Sequence, residues 1–183
     1  KTYNSVWVLS MSFDESPNGS ETLTVNPASS SAIYDKRSNA AASSQSNNTA
    51  SLYDKKLPTI TGTTVASDNS TIAVTFSEAV YDTNGGSGAL EVGDFALSIS
   101  GGTATVNATP SSIASSGNVY TLGLNISGTA NGSEVLTVVP SSSTAIYDAN
   151  ANAASTTQSN NTVTLTEKIV PTITATTILQ SNA

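Results

Sequence analysis

The sequence predicts an all-β protein built from a tandemly repeated unit, and two observations carry that reading. Apolar residues alternate with polar ones in short runs separated by turn-forming clusters, the period-2 pattern of half-buried strands. The chain also repeats itself: Ser31-Ala32-Ile33-Tyr34-Asp35 returns as Thr144-Ala145-Ile146-Tyr147-Asp148, so that Tyr147 repeats Tyr34. The same ungapped offset carries Asn18-Gly19-Ser20-Glu21 onto Asn131-Gly132-Ser133-Glu134, Gln45-Ser46-Asn47-Asn48-Thr49 onto Gln158-Ser159-Asn160-Asn161-Thr162, and Pro58-Thr59-Ile60-Thr61 onto Pro171-Thr172-Ile173-Thr174. Solenoid turns repeat every ~20–50 residues and share one core. The period here, from Tyr34 to Tyr147, is several times longer than the shortest of those and fits a whole small domain copied in tandem.

Within residues 58–170, taken as one unit, strands are expected at about 58–66, 71–80, 89–100, 102–110, 118–127, 133–139, 144–148 and 161–168. In the first, Ile60 alternates with Thr59 and Thr61; in the second, Ile72, Val74 and Phe76 form an inward row. Phe95, Leu97 and Ile99 form the next row, and Tyr120, Leu122, Leu124 and Ile126 a longer one. Leu136 with Val138, Ile146, and Val163 with Leu165 complete the set. Asp68-Asn69, Asn84 to Gly88, Gly101-Gly102, Ser116-Gly117-Asn118 and Asn131-Gly132 punctuate these rows, because Gly adopts positive φ and Asn and Asp bond to their own backbone. Seven to eight strands per repeat unit is the count of an immunoglobulin-like Greek-key β-sandwich. Helical spacing is absent, and the Ala-rich stretches at 40–42 and 151–154 are interrupted by Ser, Thr and Asn, which compete for helix hydrogen bonds. Segment 149–160 reads as an exposed loop whose Asn and Gln side chains bond the backbone they cover.

On this period, residues 1–57 read as the C-terminal half of a preceding repeat, 58–170 as a complete repeat, and 171–183 as the first strand of a following one, the whole being a segment of a longer array. Phe76, Phe95, Tyr120, Leu122, Leu124, Leu136 and Ile146 are the expected core of the full unit, with Trp7, Leu9, Met11, Phe13, Leu23 and Ile33 the corresponding half core. The junctions Asp54-Lys55-Lys56-Leu57-Pro58 and Glu167-Lys168-Ile169-Val170-Pro171 are short and contain proline, which predicts restricted rotation between units and an extended rod.

Composition narrows the chemistry. The chain of 183 residues has no Cys and no His, so the usual zinc ligands, the His-dependent nucleophile systems and disulfide staples are all excluded. Net charge is −7, with six basic residues scattered as Lys1, Lys36, Arg37, Lys55, Lys56 and Lys168, which disfavours a nucleic-acid partner. No run of about 18 apolar residues is present to span a bilayer as a helix.

Thr75-Phe76-Ser77-Glu78-Ala79-Val80-Tyr81, Gly93-Asp94-Phe95-Ala96-Leu97, Asn131-Gly132-Ser133-Glu134 and Ile146-Tyr147-Asp148, in this order and spacing, give the chain a resemblance to the tandem bacterial Ig-like repeats of very large secreted surface proteins. These include repeats of the cyanobacterial swimming-motility surface protein type and those in adhesins of gliding bacteria. The resemblance covers 58–170 and both flanks. It implies an extracellular, cell-surface, non-enzymatic β-sandwich repeat serving as stalk, filament spacer or adhesive module. Neighbouring repeats of the same chain are the expected partners; the rival readings are a carbohydrate- or surface-binding module and a self-assembling filament subunit that pairs with further copies of the chain.

Calcium is the one cofactor the residues suggest. Glu78, Asp82 and Asp94, with Glu91 nearby, flank the glycine-rich turn and offer the hard oxygen ligands that calcium takes, although their spacing follows no fixed loop geometry and solvated loop acids are the simpler account of them. Asp148-Ala149-Asn150-Ala151-Asn152 opens like an EF-hand loop but has Ala153 where glycine is needed and Ser159 where a bidentate glutamate is needed, so an Asx turn is the expected role of Asp148 and of Asp35. Glu78 with a second acid could form a glycosidase pair, but the few aromatics fall on inward rows and leave no sugar platform. The Thr-x-Thr runs are outward strand positions of high β propensity rather than an ice-binding array.

Overall fold

The computed structural model describes residues 6–178. It is all-β, with antiparallel pairing throughout and no α-helix among the described residues. The chain divides between Leu57 and Pro58 into two compact units.

The first unit holds two short strands, β1 (Thr22–Thr24) and β2 (Thr49–Ser51), paired antiparallel with Leu23 opposite Ala50. It also holds a bridge between Tyr34 and Ala40. The predicted row Trp7, Leu9, Met11 and Phe13 forms no strand, and all four side chains are at least half exposed, as is Ile33; only Leu23 is partly buried. This half core is therefore not a closed core. The reason lies in the second unit, where the counterpart row is held between strands that have no counterpart among residues 6–57.

The second unit contains β3 (Ile60–Val65), β4 (Thr71–Phe76), a 3-10 turn (Val92–Asp94), β5 (Phe95–Ser100), β6 (Thr105–Val106), β7 (Ile113–Ser116), β8 (Val119–Gly123), β9 (Ile126–Ser127), β10 (Val135–Pro140) and β11 (Thr162–Thr164). One sheet has the order β3-β4-β8-β7, a second β11-β10-β5, and β6 pairs with β9 alone. Ile72 faces Leu122 and Val74 faces Tyr120 across the first sheet, while Leu136 faces Ile99 and Val138 faces Leu97 across the second. Both inward faces meet in one core. Phe76 and Tyr120 from the first sheet and Phe95 from the second pack with ring centroids 5.8–6.4 Å apart, a distance at which aromatic pairs attract beyond their area burial. All seven expected core residues of this unit are buried.

Several boundaries differ from the sequence reading for identifiable reasons. The expected strand 89–100 begins at Phe95, because the Asp94 carboxylate accepts the Glu91 N–H (2.7 Å) and curls Val92–Asp94 into the 3-10 turn. Segment 118–127 breaks after Leu124, whose N–H donates to the Ser70 carbonyl (2.8 Å) in continuation of the β4–β8 register, and β9 then pairs with β6. Within 102–110 only Thr105 and Val106 pair, whereas Ile113–Ser116, too polar to show alternation, forms β7. Segment 144–148 contributes a single bridging residue, Tyr147, which pairs with Tyr81 and Ala153. Residues 171–178, expected as the start of another strand, have no strand pairing, and Ile173 is exposed; the rest of that expectation, 179–183, lies outside the described residues.

The repeat is carried into the hydrogen bonds. Thr22 faces Ser51 as Val135 faces Thr164; Tyr34 bridges Ala40 as Tyr147 bridges Ala153. Val25, Ala41, Leu52 and Lys55 donate to Asn48, Ile33, Glu21 and Pro17, as Val138, Ala154, Leu165 and Lys168 donate to Asn161, Ile146, Glu134 and Ala130.

Candidate functional site

The acidic loop begins where Tyr81 exchanges two backbone hydrogen bonds with Tyr147 (2.7 and 2.8 Å), fixing the strand end that presents Asp82. Thr83 N–H then donates to the Ser87 carbonyl and Gly86 N–H to that of Thr83, closing a tight turn in which Gly85, Gly86 and Gly88 all have positive φ. Gly88 passes directly against the Asp82 carboxylate: a Cβ there would fall 1.7 Å from Oδ1. Only glycine leaves space for that oxygen. Asp82 Oδ1 is buried and accepts no hydrogen bond, an arrangement that normally costs free energy for an acceptor.

Asp94 lies on the other side of the same loop, half-buried. Burial pushes its carboxyl above the ordinary range; the bond from Glu91 N–H opposes this, and the negative charges of Asp82 and Glu91 add to the rise. Asp82 and Asp94 thus share one electrostatic environment. Glu78, Asp82 and Asp94 form no three-carboxylate cluster within 4.8 Å, and Glu78 brings a carboxylate oxygen within that distance of Asp148. Two of the three residues expected to hold calcium are therefore coupled. The buried acceptor on Asp82 fits a cation ligand, but the set falls short of the six to eight oxygens that calcium takes.

Asp148 is fully buried and forms the Asx turn expected of it: Oδ1 accepts the N–H of Asn150 and of Asn152 (both 2.8 Å), and Oδ2 accepts the Asn152 amide (2.7 Å). Asp35 makes the same bonds to Arg37 and Asn39. The exchange of Asn150 for Arg37 is harmless because the backbone N–H is the donor. The loop 149–160 uses its Gln side chain as expected, with Gln158 accepting the Ile60 N–H (2.8 Å) and donating to the Ser155 carbonyl (2.7 Å), but it is not wholly exposed: Ala153 bridges Tyr147 and Ala154 is buried in the core.

In the sequence Glu134 stands out only as part of a repeated motif. It is completely buried, and its two oxygens accept four backbone N–H groups: Oε1 from Thr103 and Ala104 (2.8 and 3.1 Å), Oε2 from Asn131 and Gly132 (2.9 and 3.1 Å). Gly102, at φ +60°, packs on the same carboxylate, where a Cβ would come within 2.1 Å. Burial alone would raise its pKa, but the converging N–H groups outweigh it and hold the carboxyl down to about 2. Glu134 thereby pins the Gly101-Gly102-Thr103 turn to the Asn131–Glu134 turn. The signal available in sequence is a recurring acid, Glu21 and Glu134, together with an unexplained Gly-Gly pair. Glu21 keeps the local part of the arrangement, accepting the Asn18 N–H at 3.1 Å.

The chain matches no known family model, and neither curated proteins nor solved structures give a match to it.

Proposed function

We propose that this chain is structural or adhesive repeat material of a large extracellular bacterial surface protein, with residues 58–170 forming an Ig-like Greek-key sandwich that serves as stalk or filament spacer. The observation that carries the reading is the recurrence of the same backbone hydrogen bonds at the offset that relates Tyr34 to Tyr147, a unit copied at the level of bonding as well as sequence. The sheet orders β3-β4-β8-β7 and β11-β10-β5 around one core support the sandwich assignment. The rings of Phe76, Phe95 and Tyr120 are core, leaving Tyr81 and Tyr147 as the partly exposed rings of the second unit, which weighs against the rival reading of a carbohydrate-binding module.

A spacer must resist extension. Pulling the chain by its two ends in a single-molecule experiment should give one abrupt unfolding event, releasing ~110 residues at about 3.6 Å each. Smooth extension without such an event would remove the stalk reading, and selective retention on a glycan array would favour the rival. Calcium belongs to the same proposal as a stiffener of the loop at Asp82 and Asp94.

A further inference from the structure

Of the three Asn-Gly steps in the chain, at Asn18, Asn84 and Asn131, the fold leaves the middle one chemically open. Asn is among the thermolabile residues because its side-chain amide carbon can be attacked by the backbone nitrogen of the residue that follows. The attack is easiest before glycine, which puts no side chain in the way and lets the backbone turn. In a folded chain, what decides among such steps is whether that nitrogen and that side chain are held.

At Asn131 both are held. The Gly132 N–H donates to Glu134 Oε2 (3.1 Å), and Asn131 Oδ1 accepts the Ser133 N–H (2.9 Å), which turns the amide along the chain. Glu134 is itself fixed by the N–H groups of Thr103 and Ala104. The Gly132 nitrogen must shed its proton to attack, and a carboxylate that accepts a hydrogen bond through that proton opposes its loss. Asn18 Oδ1 accepts the Ser20 N–H (3.0 Å) in the same way. Asn84 differs at each point. It and Gly85 are the two central residues of the turn that Gly86 N–H closes on the Thr83 carbonyl (3.3 Å). Both are exposed, and among the described residues no hydrogen bond holds the Asn84 side chain or the Gly85 N–H. A Cβ at Gly85 would meet nothing within 4 Å, so the space for a ring is open on that side.

We propose that Asn84 is a modification site at which the chain ages by its own chemistry, converting to aspartate and isoaspartate. The Gly85 nitrogen bonds to the Asn84 side-chain carbonyl carbon as that carbon's bond to its amide nitrogen breaks, and the amide nitrogen leaves as ammonia, taking up the proton that Gly85 loses. Water then adds to either carbonyl of the cyclic imide and opens the ring, with no change of oxidation state. Opening at the side-chain carbonyl gives aspartate; opening at the backbone carbonyl gives isoaspartate, in which the main chain runs through the side chain. Either product places a carboxylate two residues from Asp82, in the loop that Asp94 faces from its other side. Isoaspartate also adds a methylene to the backbone between Thr83 and Gly86, whose separation the hydrogen bond of the turn fixes. The inference rests on the geometry of this turn, and on neither the stalk reading nor calcium.

Incubating the full chain in warm, mildly alkaline buffer and locating the amide-to-acid mass increase by fragmentation should find it at Asn84, with isoaspartate in the product, while Asn131 stays an amide. In guanidinium chloride that unfolds the chain, the two steps should age at similar rates, since each is then an Asn-Gly pair in open chain. Asn84→Gln should remove the early mass increase, because the longer side chain has a larger ring to close. Modification of Asn131 as fast as Asn84 in the folded chain overturns the proposal. So does an Asn84 that persists in the fold after the unfolded chain has converted.

Discussion

At Glu134 one carboxylate closes two turns. Its pKa of about 2 in the fold, against 4.5 ordinarily, means that the folded chain holds the ionised form more tightly than the unfolded chain does. The stability this contributes is complete above pH 4.5 and is lost as pH falls toward 2. Glu134→Gln should therefore lower the urea midpoint at pH 7 and flatten its decline between pH 4.5 and 2; an acid limb as steep as that of the parent chain would show that another group carries it. Asp94 acts with the opposite sign, since a carboxyl raised by burial favours the fold when protonated and weakens it as pH rises through its range. Among apolar residues, Leu122 is fully buried between β4 and β7 while its neighbour Thr121 faces out. Leu122→Ala should cost about 2–5 kcal/mol by emptying that space, and Thr121→Ala about 0.5 kcal/mol or less, measured as urea midpoints. Similar losses at the two positions would mean that the inward face of β8 is misassigned.

At the scale of elements, what is legible in the sequence and what is hidden follow from physics. Rows such as Ile72, Val74 and Phe76 are readable because one side of β4 is core and the other is not, so the pleat writes itself into the residue types. β7 is hidden because it is an edge strand with only Ile113 partly buried, and a strand open on one side can be Ser-rich. The end of β8 is hidden because the apolar alternation runs on through Leu124 to Ile126 while the chain changes partner from β4 to β6, a long-range switch that no local pattern announces. In the candidate site, Asp82 and Asp94 can be paired from their position around the glycines, but Glu78 and Asp148 are far apart in sequence and meet through the Tyr81–Tyr147 bridge. Calcium should act on the first pair. In millimolar calcium the melting temperature of the chain should exceed that in EDTA, and Asp82→Asn with Asp94→Asn should abolish the difference. Equal melting temperatures for the parent chain, or a calcium effect that survives the double substitution, would leave the loop as a glycine-shaped turn with no ion.

For the molecule as a whole, the two units differ in what they can bury by themselves. Residues 58–170 contain both inward faces, the aromatic trio, and the donors that satisfy Glu134 and Asp148, so these groups are accounted for without help from 1–57. Even Asn69 is satisfied internally, its amide donating to the Thr166 carbonyl and accepting the Thr166 N–H (2.7 and 2.9 Å) as a backbone pair would. Residues 6–57 contain two three-residue strands and leave Trp7, Leu9, Met11, Phe13 and Ile33 exposed; an isolated two-stranded pairing of that size is marginal in water. Expressed separately, 58–170 should give a dispersed amide NMR spectrum and a single cooperative urea transition, whereas 1–57 should give neither. The sharper half of the test is the negative one. A dispersed, cooperatively melting 1–57 would show that the first unit closes a core by itself, and would move the boundary of the repeat away from Pro58.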